Sequence, residues 1–290
     1  MIFRLPRGWG YALLALVAAL ALAWWPLAQS LAQVTRSFPV DQLEAYQLAN
    51  LSQGDEIALG DAIDRQLKQD GLVIYEAGEE IKAYLNRVGQ RVVAASNYPA
   101  RRYRFQLVDD EVINAFATVG GYIYLHTGLL EVIQNEAELA AVLAHEVGHI
   151  EEQDGLNQLW HQLSVQELSQ QGDRMRQRMA EIGGQLRSLS NSQADEYIAD
   201  VISFHILGRA GYAQSAAVTL LERLSRELTP ATPLGLISSH PNPQSRVEQL
   251  QRLLTTEASP EASGGLEQTD YVKRVIELIE QSEDQQGGDQ

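Results

Sequence analysis

The chain has 290 residues and carries 38 acidic against 22 basic side chains, a formal net charge of −16. So acidic a chain repels the phosphates of nucleic acids and of anionic membrane surfaces, which argues against both as partners. It contains no cysteine, so no disulfide frames the fold and any metal must be held by His, Asp or Glu.

Arg4 and Arg7 precede a continuous apolar run over residues 11–27, followed by Ser30-Leu31-Ala32-Gln33, with small residues at the positions a signal peptidase reads. The pattern predicts a signal peptide cleaved after Ala32. The alternative is a retained anchor, because the run reaches the lower limit for a spanning helix and Trp24 and Trp25 suit a membrane interface. In either form the arginines stay cytoplasmic and the remainder is exported, to a periplasm or beyond the cell.

Apolar residues at helical spacing predict helices over 41–51 and 55–68, broken at Ser52-Gln53-Gly54. A third is expected over 78–95, with Ile81, Leu85, Val88, Val92 and Val93 on one side, and Pro99 ends that region. Residues 103–108 set Phe105 and Leu107 against Arg104 and Gln106, the alternation of a half-buried strand. Two more strands are expected over 112–117 and 122–126, joined as a hairpin through Thr118-Val119-Gly120-Gly121.

The stretch AELAAVLAHEVGHI, residues 137–150, is apolar on every side over 139–144 and predicts a buried helix. Asn135 with Glu138 matches a capping box at its start. His145 and His149 stand four apart, one above the other on a helix face, so both imidazoles can meet one zinc ion. Glu146 sits about a third of a turn round, beside the metal rather than on it, where a general base for the attacking water belongs. Without a metal, two histidines at the end of so apolar a helix would be buried polar groups with no task.

Residues 157–189 are polar and helical in pattern, interrupted near Gly172 and at Gly183-Gly184. They predict a helical hairpin over the core, with Leu159/Leu163 and Met175/Met179 as stripe positions. Over 192–204 the chain is again helical. From Glu196 on, its polar residues Glu196, Asp200 and Ser203 share one face of an otherwise apolar helix. A carboxylate on a buried face needs a partner. Zinc is one, giving a His-His-Glu site with water in the fourth position; a structural salt bridge to an arginine is the other reading. Asp200, one turn beyond Glu196, is placed to hold the distal nitrogen of a ligand histidine. Another helix follows over 216–226, then the Pro-bracketed His240-Pro241-Asn242-Pro243-Gln244-Ser245-Arg246, where a histidine can simply cap the helix expected to run to 254. Residues 255–265 have linker composition, 271–279 a short amphipathic helix, and 285–290 the composition of a disordered end.

Four stretches together resemble a known family: NAFATVGGYIYLHTGLL (114–130), ELAAVLAHEVGHI (138–150), EYIAD (196–200) and HPNPQSR (240–246). In order and spacing they are similar to the exported zinc metallopeptidases related to HtpX and the CAAX prenyl proteases, the minigluzincin type. The resemblance implies an α+β, mainly helical zincin domain with a small antiparallel sheet. It implies one zinc per chain on His145, His149 and Glu196, Glu146 as catalytic base, and Asp200 behind the ligands. It further implies that the strand Asn114, Ala115, Phe116, Ala117 is the edge to which a peptide substrate pairs. His240 then belongs to the active site, either stabilising the oxyanion or closing the zinc as a resting fourth ligand, and Arg246 orients it or binds the substrate carbonyl. Two positions depart from the family's habit, Val119 where proline is common and Gln193 where arginine is common.

The expected organisation is a signal peptide or anchor over 1–32, a metallopeptidase domain over 33–254, and a linker, short helix and acidic tail over 255–290. The expected function is zinc-dependent endoproteolysis of exported or membrane-associated proteins, as in protein quality control. The alternative is a chaperone-like assembly factor that keeps zinc structurally. A multi-span intramembrane site is excluded by the single candidate span. His126, His161 and His205 are expected to be structural or surface residues.

Overall fold

Helix α1 (Gln53–Gln69) begins where the sequence predicts a break, because Ser52 is its N-cap: the Ser52 Oγ accepts from the Asp55 N–H. The computed structural model describes residues 51–76, 79–162, 173–184, 191–227, 239–241, 243–267 and 275. The signal or anchor segment, the helix expected over 41–51 except Leu51, residues 285–290 and all of the 271–279 helix except Val275 lie outside the described residues. Among the described residues no helix is long and apolar enough to cross a membrane. Helix α2 (Glu79–Ala94) buries Ile81, Leu85, Val88, Val92 and Val93, the stripe its spacing predicts.

The sheet has three strands, β1 (Arg104–Val108), β2 (Ala115–Thr118) and β3 (Tyr122–His126), in the order β1-β3-β2. Strands β2 and β3 form the expected antiparallel hairpin, with Ala115 opposite Leu125 and Ala117 opposite Ile123. Strand β1 lies parallel to β3 with Arg104 opposite Tyr122, so the sheet is mixed rather than wholly antiparallel. The cause is the connection. Residues 109–114 carry the chain past β3, and the tight hairpin then returns β3 between the two. Strand β2 also starts three residues later than alternation suggests, because Asp110 Oδ1 accepts from the Val112 N–H and bends the backbone there. The hairpin turn needs its glycines. Gly120 and Gly121 have φ of 77° and 83°, and a Cβ on Gly121 would lie 1.7 Å from the Arg102 carbonyl oxygen.

Helix α3 (Thr127–Val132) leads into α4 (Glu136–Glu151), the centre of the core. Asn135 Oδ1 accepts from the Glu138 N–H at 2.9 Å, but the box closes only halfway. The Glu138 carboxylate accepts from the Gln134 N–H instead of the Asn135 N–H, because it is buried and also takes the Arg223 guanidinium at 2.7 Å through both oxygens. Of the residues expected as a helical hairpin over 157–189, the described ones form α5 (Asp154–Gln162) and α6 (Asp173–Gly183), while 163–172 and 185–189, with the stripe position Leu163, lie outside the described residues. Helix α6 packs on α1 with Gly183 against Ile63. Helix α7 (Gln193–Ala210) opens on a full capping box between Ser192 and Asp195 and continues six residues past the expected 204 to Gly211, whose φ is 76°.

Helices α8 (Ser215–Glu227) and α9 (Pro243–Thr256) complete the layer, α9 starting on a proline that needs no amide donor there. The linker-like stretch after α9 is tied back to the domain. Ala137 and Ala213 donate their N–H groups to the carbonyls of Gly265 and Gly264, and Ser259 donates to Gln214 Oε1. What positions the site is the crossing of α4 and α7. A Cβ on Gly148 would stand 3.1 Å from Ala199 Cα, so the missing side chain lets the two helices meet backbone to backbone.

Candidate metal centre

The α4–α7 crossing puts His145 and His149 against Glu196. The Nε2 atoms of the two histidines are 3.1 Å apart. Glu196 Oε2 lies 3.4 Å from His145 Nε2, and Glu196 Oε1 lies 3.4 Å from His149 Nε2. His240, just ahead of α9, adds its Nδ1 at 3.4 Å from His145 Nε2 and 2.9 Å from Glu196 Oε1. One ligand atom from each of these four residues lies within 4.8 Å of all the others. Tetrahedral zinc with bonds of about 2.0–2.1 Å holds its ligand atoms about 3.3 Å apart. The separations here are those of a zinc cage.

The nitrogens pointing away from the cage are held by carboxylates. Asp154 Oδ2 accepts from His149 Nδ1 at 2.7 Å, and Asp200 Oδ1 lies 3.1 Å from His145 Nδ1. Each partner fixes its ring so that the Nε2 lone pair faces inward. The sequence marks Asp200, one turn from Glu196, but carries no periodic signal for Asp154. That residue reaches His149 only because Gln153 takes a φ of 60° and turns the chain back at the end of α4.

Arg246 is buried beneath this layer. Its Nε and one terminal nitrogen donate to the two Asp200 oxygens at 2.8 Å each, and its other terminal nitrogen lies 2.5 Å from Glu196 Oε2. The guanidinium is therefore engaged by α7, whereas the resemblance pairs it with His240 or a substrate carbonyl. The salt bridge and the metal centre, alternatives on sequence alone, are one network. Burial disfavours ionisation of Asp200, yet Arg246 and His145 hold it below the usual carboxylate range. Burial opposes the Glu196 charge too, and His240, His145 and His149 outweigh it. Burial also opposes a charged His149, but Asp154 and Glu196 lift its imidazole to about 10. The cage favours positive charge at its centre.

Glu146 is buried beside the cage, with Oε1 3.7 Å from His240 Nε2. A small cavity joins Glu146 to Ala117, His149, Asn191 and His240. The Asn114 carbonyl accepts from His126 N–H, inside the sheet, so alternation turns the backbone of Ala115 and Ala117 to the edge of β2 that no other strand pairs among the described residues. The Ala115 carbonyl meets His240 Nε2 there at 3.2 Å. Phe116 faces away and stacks on Tyr124. On the far side of His145 and Glu146 lies a small pocket walled by Val142, Leu220, Leu221, Leu224 and Leu250. The other histidines sit apart: His126 is buried 3.4 Å from Asp110, His161 is exposed, and His205 is a surface residue 3.5 Å from Glu257.

The profile of peptidase family M48 matches residues 79–254, which takes in both helices of the crossing, β2 and His240. The chain belongs to peptidase family M48. Zinc is the metal of M48 peptidases, and the cage fits it. Across 69% of its length the M48 chain is 31% identical to the beta-barrel assembly-enhancing protease of Yersinia pestis, and it covers 44% of that protein. The mitochondrial metalloendopeptidase OMA1 of Schizosaccharomyces pombe is 25% identical over 82% of this chain and 73% of its own. Metalloprotease LoiP of Escherichia coli is 24% identical over 72% and 84%. The chain thus spans less than half the length of the barrel-assembly relatives it matches.

Arg246→Ala leaves Asp200 and Glu196 buried without their guanidinium. Removing one partner of a buried pair costs about 3–5 kcal/mol. Thermal melting of the metal-free variant should show a loss of that order. A melt within a degree of the parent's would mean that Arg246 does not hold these carboxylates.

Proposed function

We propose that this chain is a zinc metalloendopeptidase of exported or membrane-associated proteins, with His145, His149 and Glu196 as zinc ligands and Glu146 as catalytic base. The observation that carries this reading is the placement of buried Glu146 between the cage and the free edge of β2. Zinc supplies the Lewis-acid charge that polarises a peptide carbonyl and acidifies a water. Glu146 takes the water's proton and returns it to the leaving amine. Its Oε2 accepts no hydrogen bond among the described residues, so a lone pair is ready. Asp200 and Asp154 keep the ligand rings in register, and Arg246 neutralises α7 beneath them.

Strand addition along residues 114–117 is the proposed mode of substrate binding. The backbone of Ala115 and Ala117 pairs with the peptide, while the Asn114 and Phe116 backbones serve the sheet. Main-chain pairing tolerates many sequences, and the leucine-walled pocket offers an apolar surface to a side chain of the peptide. His240 supports a resting role better than an oxyanion role. Its Nε2 is engaged with the Ala115 carbonyl at 3.2 Å, and its Nδ1 faces the cage 2.9 Å from Glu196 Oε1, where a metal ion would replace the proton that the carboxylate accepts. Four protein ligands would close the site, which is the observation that favours the alternative, an assembly factor with structural zinc. The envelope setting rests on the N-terminal signal pattern and on relatives named for barrel assembly. We place the export signal at 1–32, the peptidase domain at 33–254 and an acidic tail beyond.

His149→Ala and Glu196→Ala should lose the one zinc per chain and melt earlier, while Glu146→Gln should keep zinc and lose roughly 10²–10⁴-fold in peptide cleavage. Elemental analysis and casein cleavage read both. Full zinc in His149→Ala would sink the ligand set, and near-normal cleavage by Glu146→Gln would leave the assembly-factor reading. His240→Ala separates its two roles: higher turnover marks a gate, and a fall of about 10²–10³-fold with unchanged substrate binding marks an oxyanion donor. Intact-mass analysis of the protein from its native host should find Gln33 as the first residue. A mass that retains 1–32 would establish the anchor.

A further inference from the structure

Asn191 lies outside α7, one residue ahead of the Ser192 N-cap, and no periodic pattern includes it. Its side chain nevertheless reaches the cage. Asn191 Nδ2 donates to Glu196 Oε1 at 2.7 Å and stands 3.2 Å from His149 Nε2. Its Oδ1 accepts from Gln158 Nε2, on α5. That contact fixes which way the amide faces, because the acceptor end is engaged and only the donor end can point at Glu196. Its backbone N–H donates to the Ser239 carbonyl at 3.0 Å, one residue before His240.

We propose that Asn191, oriented by Gln158, is a positioning residue for the metal ligand Glu196. The inference rests on the reading of Glu196 as a ligand. The last torsion of a glutamate is broad and soft, so a lone carboxylate would rotate in the cage. Here each oxygen has its own neighbour. Arg246, from α9, makes an ion-pair contact with Oε2, and Asn191, just ahead of the α7 N-cap, donates a hydrogen bond to Oε1. Together they set the carboxylate plane before the metal arrives. Asn191 does this without adding charge, so the negative charge that Glu196 offers the metal is not neutralised a second time. An aspartate in its place would put a second carboxylate 2.7 Å from the first.

The test is zinc affinity of the full chain, measured by chelator competition, with melting of the metal-free protein alongside. Loss of a partner behind a metal ligand costs about 10–100-fold in affinity. Asn191→Ala should weaken zinc by that factor with the metal-free melt unchanged. Gln158→Ala should weaken it less, in the same direction, by releasing the amide. Asn191→Asp should weaken it at least as much as Asn191→Ala. Affinity within about threefold of the parent in Asn191→Ala overturns the proposal, and so does a fall in the metal-free melt without a change in affinity. Should Asn191→Ala not fold, unchanged affinity in Gln158→Ala overturns it instead. Glu196→Ala in parallel separates the two levels. Parental affinity there removes the ligand reading itself, whereas loss there beside a normal Asn191→Ala removes only this inference.

Discussion

Two carboxylates buried on the face of α7 that meets α4 set the terms for everything around them. Glu196 and Asp200 are 0% and 3% exposed, and an ion removed from water must be compensated nearby. Arg246 answers part of that demand from α9, and the histidines of α4 answer part from across the crossing. The remainder is a surplus of negative charge. Four buried carboxylates, Glu146, Asp154, Glu196 and Asp200, lie at or beside the histidine cluster, Arg246 pairs with only two of them, and a divalent cation would offset the charge left over. The close approach at Gly148 is what makes the arrangement affordable, since a larger residue would hold the helices apart and strand both sides.

The same crossing separates two ways in which the groups of the centre are held. His145, His149 and Glu196 project from long helices anchored in the main core, and each has a partner behind it. His240 comes from the short stretch between Ser239 and α9 and touches the cage, Glu196 and the edge of β2 at once. The small cavity beside Ala117 and the leucine-walled pocket both border Glu146.

Much of this was legible in the residues because it depends on local periodicity. The buried stripe of α2, the apolar helix around His145 and His149, the shared face of Glu196 and Asp200, and the glycine hairpin are all short-range patterns, and each formed where its spacing places it. Errors arose where a long-range partner outbid a local one. Glu138 left its cap for Arg223, β1 found β3 by a crossover, and the composition of a linker did not foretell that Gly264 and Gly265 would pair with Ala213 and Ala137.

By itself the sequence determined the chemistry available: two imidazoles one turn apart, a carboxylate beside them, a second helix with acids on its buried face, and no thiol to compete. Tertiary structure alone decided which groups hold these in place. Asp154 comes round through a left-handed Gln153, Arg246 arrives from a helix 46 residues beyond Asp200, and Asn191 is turned by Gln158. None of these lies at a helical or strand period from the residue it serves. Their roles depend on how loops close and helices cross, and no local pattern encodes that.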